Sequence, residues 1–282
     1  MRKFAYLVPT LTVLMLVAIA GAGCTAKLKE SYHLKRADRY FNSGQYDQAE
    51  IEYKNVLRNA PQNAQAWSRL GVIYFDQGRL LEAAQILGRA QQLATNNLEV
   101  RLKLGAIYLG AGKLKEARDE ASFVLDKNPK DAQAPILLAE AAATNQIAET
   151  RLRLQKMSQT GETAPLEVAL GALSFRQGDL KTAEADLKRA VKLDPKFSDA
   201  YAALGNWYVA QNDVKQADQA FKTAADLAPP RSGKTLQYAQ FKILTGDSAA
   251  GKQLLEDIVK KTPDYLPAWI GLAQLAAAEK KY

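Results

Sequence analysis

The sequence predicts an all-α fold, an array of stacked helix–turn–helix units, and three observations carry that expectation. The chain matches itself at a step of 34 residues: Tyr40, Tyr74 and Tyr108 fall in register, as do Ala49, Ala83 and Ala117. Gly44, Gly78 and Gly112 keep the same step, and so do Pro195, Pro229 and Pro263. Between these marks apolar residues recur at helical spacing, and no stretch sustains strand alternation. A fixed period of this length means supersecondary units that stack on their neighbours. Such an array presents a long surface that holds another molecule.

The first element is a leader. Met1-Arg2-Lys3 precedes an apolar stretch from Phe4 to Ala20, then Gly21-Ala22-Gly23 and Cys24, the only cysteine. A basic start, an apolar run and a small-residue site form an export signal. With the cysteine directly behind the small residues, residues 1–23 resemble a bacterial lipoprotein signal, and the resemblance implies lipid attachment at Cys24. Gly21 stands where such signals usually carry Leu, Val or Ile. An uncleaved membrane anchor and a soluble signal peptide cut near Ala22 are the alternatives. Thr25, in place of the Asp that favours inner-membrane retention in the enteric pattern, leans towards an outer-membrane lipoprotein facing the periplasm, with inner-membrane anchoring as the alternative. No second cysteine is left for a disulfide, a Cys-based metal site or a thiol nucleophile.

Residues 24–29 form a short tether. The full chain carries a net charge of +8, and losing Arg2 and Lys3 leaves an excess of six scattered positive charges. One cluster, Lys27, Lys29, Lys35, Arg36 and Arg39, follows the tether. It suits either a solvated helix face or anionic headgroups. Export makes nucleic acid an unexpected partner.

The repeats follow. Units run 30–63, 64–97, 98–131, 132–163, 164–197, 198–231 and 232–265, with an incomplete eighth from Leu266. They group as 30–131 (units 1–3), a degenerate unit 132–163, and 164–282. In one unit, Ala64–Gln77 and Leu80–Leu93 are the two helical stretches. The eighth place holds only small residues: Ala37, Gly71, Gly105, Ala139, Gly171, Gly205, Ala239 and Ala273. The twentieth holds Ala49, Ala83, Ala117, Ala183, Ala217 and Gly251. Missing side chains at these places let paired helices approach closely. Gly44, Gly78, Gly112, Gly178 and Gly246 end first helices, and a proline closes most second helices. One unit cannot stand alone, because ordering its 34 residues costs on the order of 50 kcal/mol while a lone hairpin leaves one face wet.

Trp67, Leu70, Gly71, Tyr74 and Ala83 in one unit, and Tyr201, Leu204, Gly205, Tyr208, Ala217, Phe221, Ala224 and Pro229 in another, resemble the tetratricopeptide repeat (TPR) family over residues 30–282. The resemblance implies a right-handed superhelix with a concave groove lined by first helices. Unit 4 departs from the pattern: Arg151 takes the small twentieth place and Gly161 replaces the closing proline. It reads as a hinge or a degenerate spacer. Lys281-Tyr282 aligns with Gln45-Tyr46, where unit 1 continues into its second helix, so the expectation is that the polypeptide continues.

The groove is the candidate site. The family's concave twelfth place holds Phe41, Phe75, Leu109, Phe175, Val209 and Ile243, with Ala143 in the degenerate unit. Asp38, Asn42, Asp76, Arg176, Asn206 and Gln240 flank it as polar groups that orient a bound segment. The same apolar spacing equally suits packing between neighbouring first helices, and the sequence leaves both open. The Lys and Asn clamp of chaperone-binding TPR domains is not matched, since its places hold Leu34, Asp38, Ser68, Val72 and Glu99.

Chemistry is sparse. His33 is the sole histidine and reads as a helix-surface residue, so no histidine triad and no metal site is expected. Ala228–Thr235 ends in Gly-Lys-Thr, but it joins two repeats, and Pro229 and Pro230 lack amides a phosphate loop needs. No nucleotide, cofactor or catalytic residue is expected. The resulting reading is a membrane-anchored periplasmic scaffold for proteins or extended peptides, resembling TPR lipoproteins of pilus assembly, envelope biogenesis and export systems. Ile51–Leu57 resembles a phrase in TPR lipoproteins of exosortase-type systems. The alternatives are the targeting half of a longer enzyme and a glycan-binding module.

Overall fold

The computed structural model describes residues 27–278. The signal segment, Cys24 and the last four residues lie outside them. Among the described residues the regular structure is helical: α1 over 27–42, α2 (Tyr46–Asn59), α3 (Ala64–Asp76), α4 (Leu80–Leu93), α5 (Leu98–Gly110), α6 (Leu114–Lys127), α7 (Ala134–Glu140), a 3-10 turn (Thr144–Gln146), α8 (Ile147–Thr160), α9 (Ala164–Arg176), α10 (Leu180–Leu193), α11 (Ser198–Ala210), α12 (Val214–Leu227), α13 (Gly233–Leu244), α14 (Ser248–Lys261) and α15 (Leu266–Ala278). None of these helices is long and apolar enough to cross a membrane. Two compact units result: residues up to Ile73 with Gln85–Thr95, and Tyr74–Ala84 with residues from Asn96 on.

In the smaller unit, α1 and α2 close on Ala37, Ala49, Tyr53 and Val56, all fully buried. Burying each larger side chain contributes roughly 1.5–3 kcal/mol. Tyr53 donates its hydroxyl to Asp38 at 2.7 Å, so the buried phenol keeps a partner. Burial, then this bond to a carboxylate, holds its ionisation well above the usual tyrosine range. A β-carbon on Gly71 would stand 2.5 Å from Leu87, which explains the small eighth place.

The larger unit repeats that contact. A β-carbon on Gly105 would meet Leu137, on Gly171 Leu187, and on Gly205 the Phe221 ring. The fourth-place aromatics have a polar task as well. Trp67 in the smaller unit, and Tyr201 and Trp269 in the larger, donate to the carbonyls of Pro61, Pro195 and Pro263 six residues earlier. Aromatic and proline therefore form one clasp between the end of one hairpin and the start of the next.

The fourth hairpin is built differently. Its first helix, α7, has 7 residues, where α5 and α9 have 13. Arg151, on α8, reaches out of the unit to Ser174 at 3.1 Å and Gln177 at 2.7 Å. Arg153 reaches the other way, to Ser122 and Asp126. Long cationic arms thus hold α8 to α6 and α9. Leu138, Leu154 and Leu173 fill the space beneath.

A long-range clasp also lies within the larger unit. The Leu266 amide donates to the Gln77 carbonyl at 3.0 Å, and the Gln77 side chain donates to Asp264 at 3.3 Å. Arg231 grips both Asp264 oxygens, at 2.7 and 2.9 Å. Gly78 ends α3 with φ +78°, and a β-carbon there would stand 2.5 Å from Pro267. Gln77 is 3% exposed.

Candidate functional site

The larger unit holds a concavity of about 550 Å³ walled by α5 and α7, with Asp199 from the start of α11 and Lys234 from α13 at its mouth. α5 supplies two faces. Val100 and Leu104 turn inward and are buried, while Leu102 and Leu109 line the basin. Opposite them stand Ile136 and Leu137 on the short α7, and Phe75 closes one side. Asp131 sets the start of α7 by accepting from the Gln133 and Ala134 amides at 2.8 and 2.9 Å.

The rim is charged. Lys103 stands 2.7 Å from Asp76 and 4.3 Å from the Phe75 ring centre. Lys234 pairs with Asp199 at 2.5 Å. Burial in the concavity raises the Glu140 carboxyl above its usual range, while nearby Lys234 pulls it back, Asp199 raises it further and Arg176 lowers it. Four lining carboxylates, Glu99, Asp131, Glu140 and Asp199, face two ammonium groups. The basin is therefore acidic on a chain whose net charge is +8.

The residues expected in the groove divide by what they touch. Phe75 and Leu109 line the basin. Phe41 stacks on Tyr46 at 5.5 Å, with the Arg69 guanidinium 4.7 Å from its ring centre. Phe175 and Ile243 pack against the cores around Leu187 and Leu255. Val209 is 47% exposed. Both alternatives left open by the spacing thus occur, at different positions.

The flanking polar residues are mostly engaged. Asp38 accepts from Tyr53 and Gln65, Asp76 holds Lys103, and Asn206 accepts from Gln237. Arg176 caps α7, donating to the carbonyls of Ala139 and Ala142, each at 2.6 Å, and of Glu140. Asn42 and Gln240 are exposed. His33 is partly buried, with Nδ1 2.6 Å from Glu52. In the Ala228–Thr235 string, Ser232 caps α13, and the Lys234 ammonium is turned to Asp199. Among the described residues no group of three His, Cys, Asp or Glu side chains is placed to hold a metal ion.

Two features escaped the sequence reading. Asp179, Asp213 and Asp247 cap α10, α12 and α14 by accepting from Thr182, Gln216 and Ala250 amides. Their own 34-residue step was the available signal. The rim residues Lys103, Glu140 and Lys234 lie off the twelfth place, and no periodic signal marks them.

Stacked helical hairpins with small residues at the crossings, glycine turns, and a basin on first-helix faces define a repeat protein of the solenoid class. Tetratricopeptide repeat family models match residues 34–97, 74–141 and 174–240. The chain belongs to the tetratricopeptide repeat family. Superkiller complex protein 3 of Mus musculus is 25% identical over 248 residues, covering 83% of this chain and 16% of that protein. The chain thus spans about a sixth of that relative's length. Among solved structures, a tetratricopeptide repeat protein from Parabacteroides merdae aligns with TM-score 0.56 and 15% identity over 88% of this chain and 99% of that one. A thermophilic TPR protein of Thermus thermophilus aligns at 0.51 and 22% over 64% of this chain and 99% of that one. Both likenesses are of fold.

Proposed function

We propose that this protein is a membrane-tethered TPR scaffold that holds a protein or an extended peptide on the concave face of its larger unit. The observation that carries the reading is the basin itself: an apolar floor with a charged rim, set on first helices of a family whose members bind proteins or peptides. The leader from Met1 to Cys24 supports placement on the periplasmic side by a lipid on Cys24. An assembly role in the envelope, in pilus formation or in an export system follows from that placement and from the family resemblance.

Two experiments test it. A photocrosslinker at Phe75 traps a partner that crosslinkers at the outward Asp119 and Glu184 do not; equal trapping at all three defeats the groove. A crosslinker at Phe175, packed against a core, should give weaker trapping than one at Phe75. Cys24→Ala abolishes labelling with an alkyne palmitate, and persistent labelling removes the tether from the reading.

A further inference from the structure

The basin's charge names its occupant more narrowly than the fold does. Of the two ammonium groups at the rim, Lys103 is paired with Asp76 and Lys234 with Asp199. Neither is left to receive an anionic partner. Asp131 uses one carboxylate oxygen on two amides at the start of α7. Glu140, at the C-terminal end of α7, lines the same concavity. The floor between α5 and α7 is aliphatic, from Leu102, Leu109, Ile136 and Leu137. Its volume of about 550 Å³ lies inside the roughly 300–1,000 Å³ range of ligand pockets, room for one large apolar side chain and its neighbours.

These observations exclude as much as they select. A phosphate-bearing or acidic partner would meet carboxylates in excess over the two lining ammonium groups, both already paired. A wholly apolar partner would bury the rim charges without compensation. A segment with an apolar side chain beside lysine or arginine satisfies both the floor and the rim.

We propose that the basin binds a basic, amphipathic segment of a partner protein, its apolar side chain seated between α5 and α7 and its lysine or arginine groups set against Glu140 and Asp131. The assignment rests on the reading of this concave face as the partner site. It adds the sign of the partner's charge, which the family does not specify.

The test uses the full chain in a neutral detergent, with a benzophenone amino acid at Ile136 in the basin wall or at Asp119 on the outer face of α6. Two biotinylated twelve-residue probes are compared, one of alternating leucine and lysine, the other with glutamate in place of every lysine. The lysine probe should crosslink at position 136 at least about tenfold better than the glutamate probe, and better than at position 119. Glu140→Lys should raise the half-saturating concentration of the lysine probe about tenfold, and Glu140→Gln by a smaller factor. Unchanged far-ultraviolet circular dichroism and melting of both variants show that folding is intact. Added salt should weaken the lysine probe. Preference for the glutamate probe at position 136 overturns the charge assignment and leaves the groove reading standing. Equal crosslinking of the lysine probe at positions 136 and 119, or insensitivity to both substitutions, also overturns it. Crosslinking of neither probe at position 136, together with no site-dependent trapping from Phe75, overturns both readings.

Discussion

Gly88 and Gly205 are both helical, yet alanine should act on them in opposite directions. A β-carbon on Gly88 meets nothing within 4 Å, so Gly88→Ala should stabilise by up to about 1 kcal/mol through helix propensity alone. At Gly205 the same carbon would stand 2.5 Å from the Phe221 ring. Overpacking of about 1–3 kcal/mol outweighs the propensity gain, and Gly205→Ala should lower the urea midpoint. A second residue-scale prediction concerns Glu167, which is 2% exposed. Burial raises its carboxyl above the usual range, while Ser158 and Arg189 pull it back. The folded chain therefore holds that proton more tightly than the unfolded chain. The resulting stabilisation is complete below the unfolded value and is lost as pH rises through the folded one. Melting of wild type minus Glu167→Gln should accordingly increase on acidification just above the ordinary glutamate range. A flat difference would count against it.

At the scale of elements, the regular hairpins were legible in the sequence because their contacts are local and repeated. Glycine turns, small crossings and closing prolines each serve one pair of helices, so a 34-residue step reports them directly. Phe41 and Phe75 show where legibility stops. They share a place in the repeat, but only Phe41 has an aromatic neighbour across the turn, Tyr46, where the next unit has Leu80. The basin was illegible for a related reason: it joins residues of units 2, 3, 4, 6 and 7, and the aperiodic fourth unit sets their spacing. Arg176 was readable as a polar groove residue, but a helix as short as α7 leaves carbonyls that need a donor. Arg176→Ala should cost roughly 1–2 kcal/mol and speed amide exchange over 139–146, measured by mass spectrometry. The caps yield a converse prediction. Lys113 precedes α6 with backbone angles close to those of Asp179 but offers no side-chain bond. Lys113→Asp should therefore add about 0.5–1 kcal/mol, read as a rise in melting temperature.

For the molecule as a whole, stability of a repeat array is close to a sum of units and nearest-neighbour contacts, and such arrays unravel from an end. The bond between Gln77 and Leu266 adds a term outside that sum, because it joins positions 189 residues apart in sequence. Cysteines at both positions in a Cys24→Ala background should oxidise to a disulfide, seen as a mobility shift on non-reducing gels. In the chain-entropy limit that link stabilises by about 5 kcal/mol. Gly78→Ala, which places a methyl group against Pro267 at a left-handed φ, should weaken the same clasp and broaden the urea transition. A barrel removes the vulnerable edges of a sheet by joining its first strand to its last. The clasp does the same for a solenoid: between Gln77 and Leu266 no repeat is outermost, so melting there must begin with a rupture rather than with fraying.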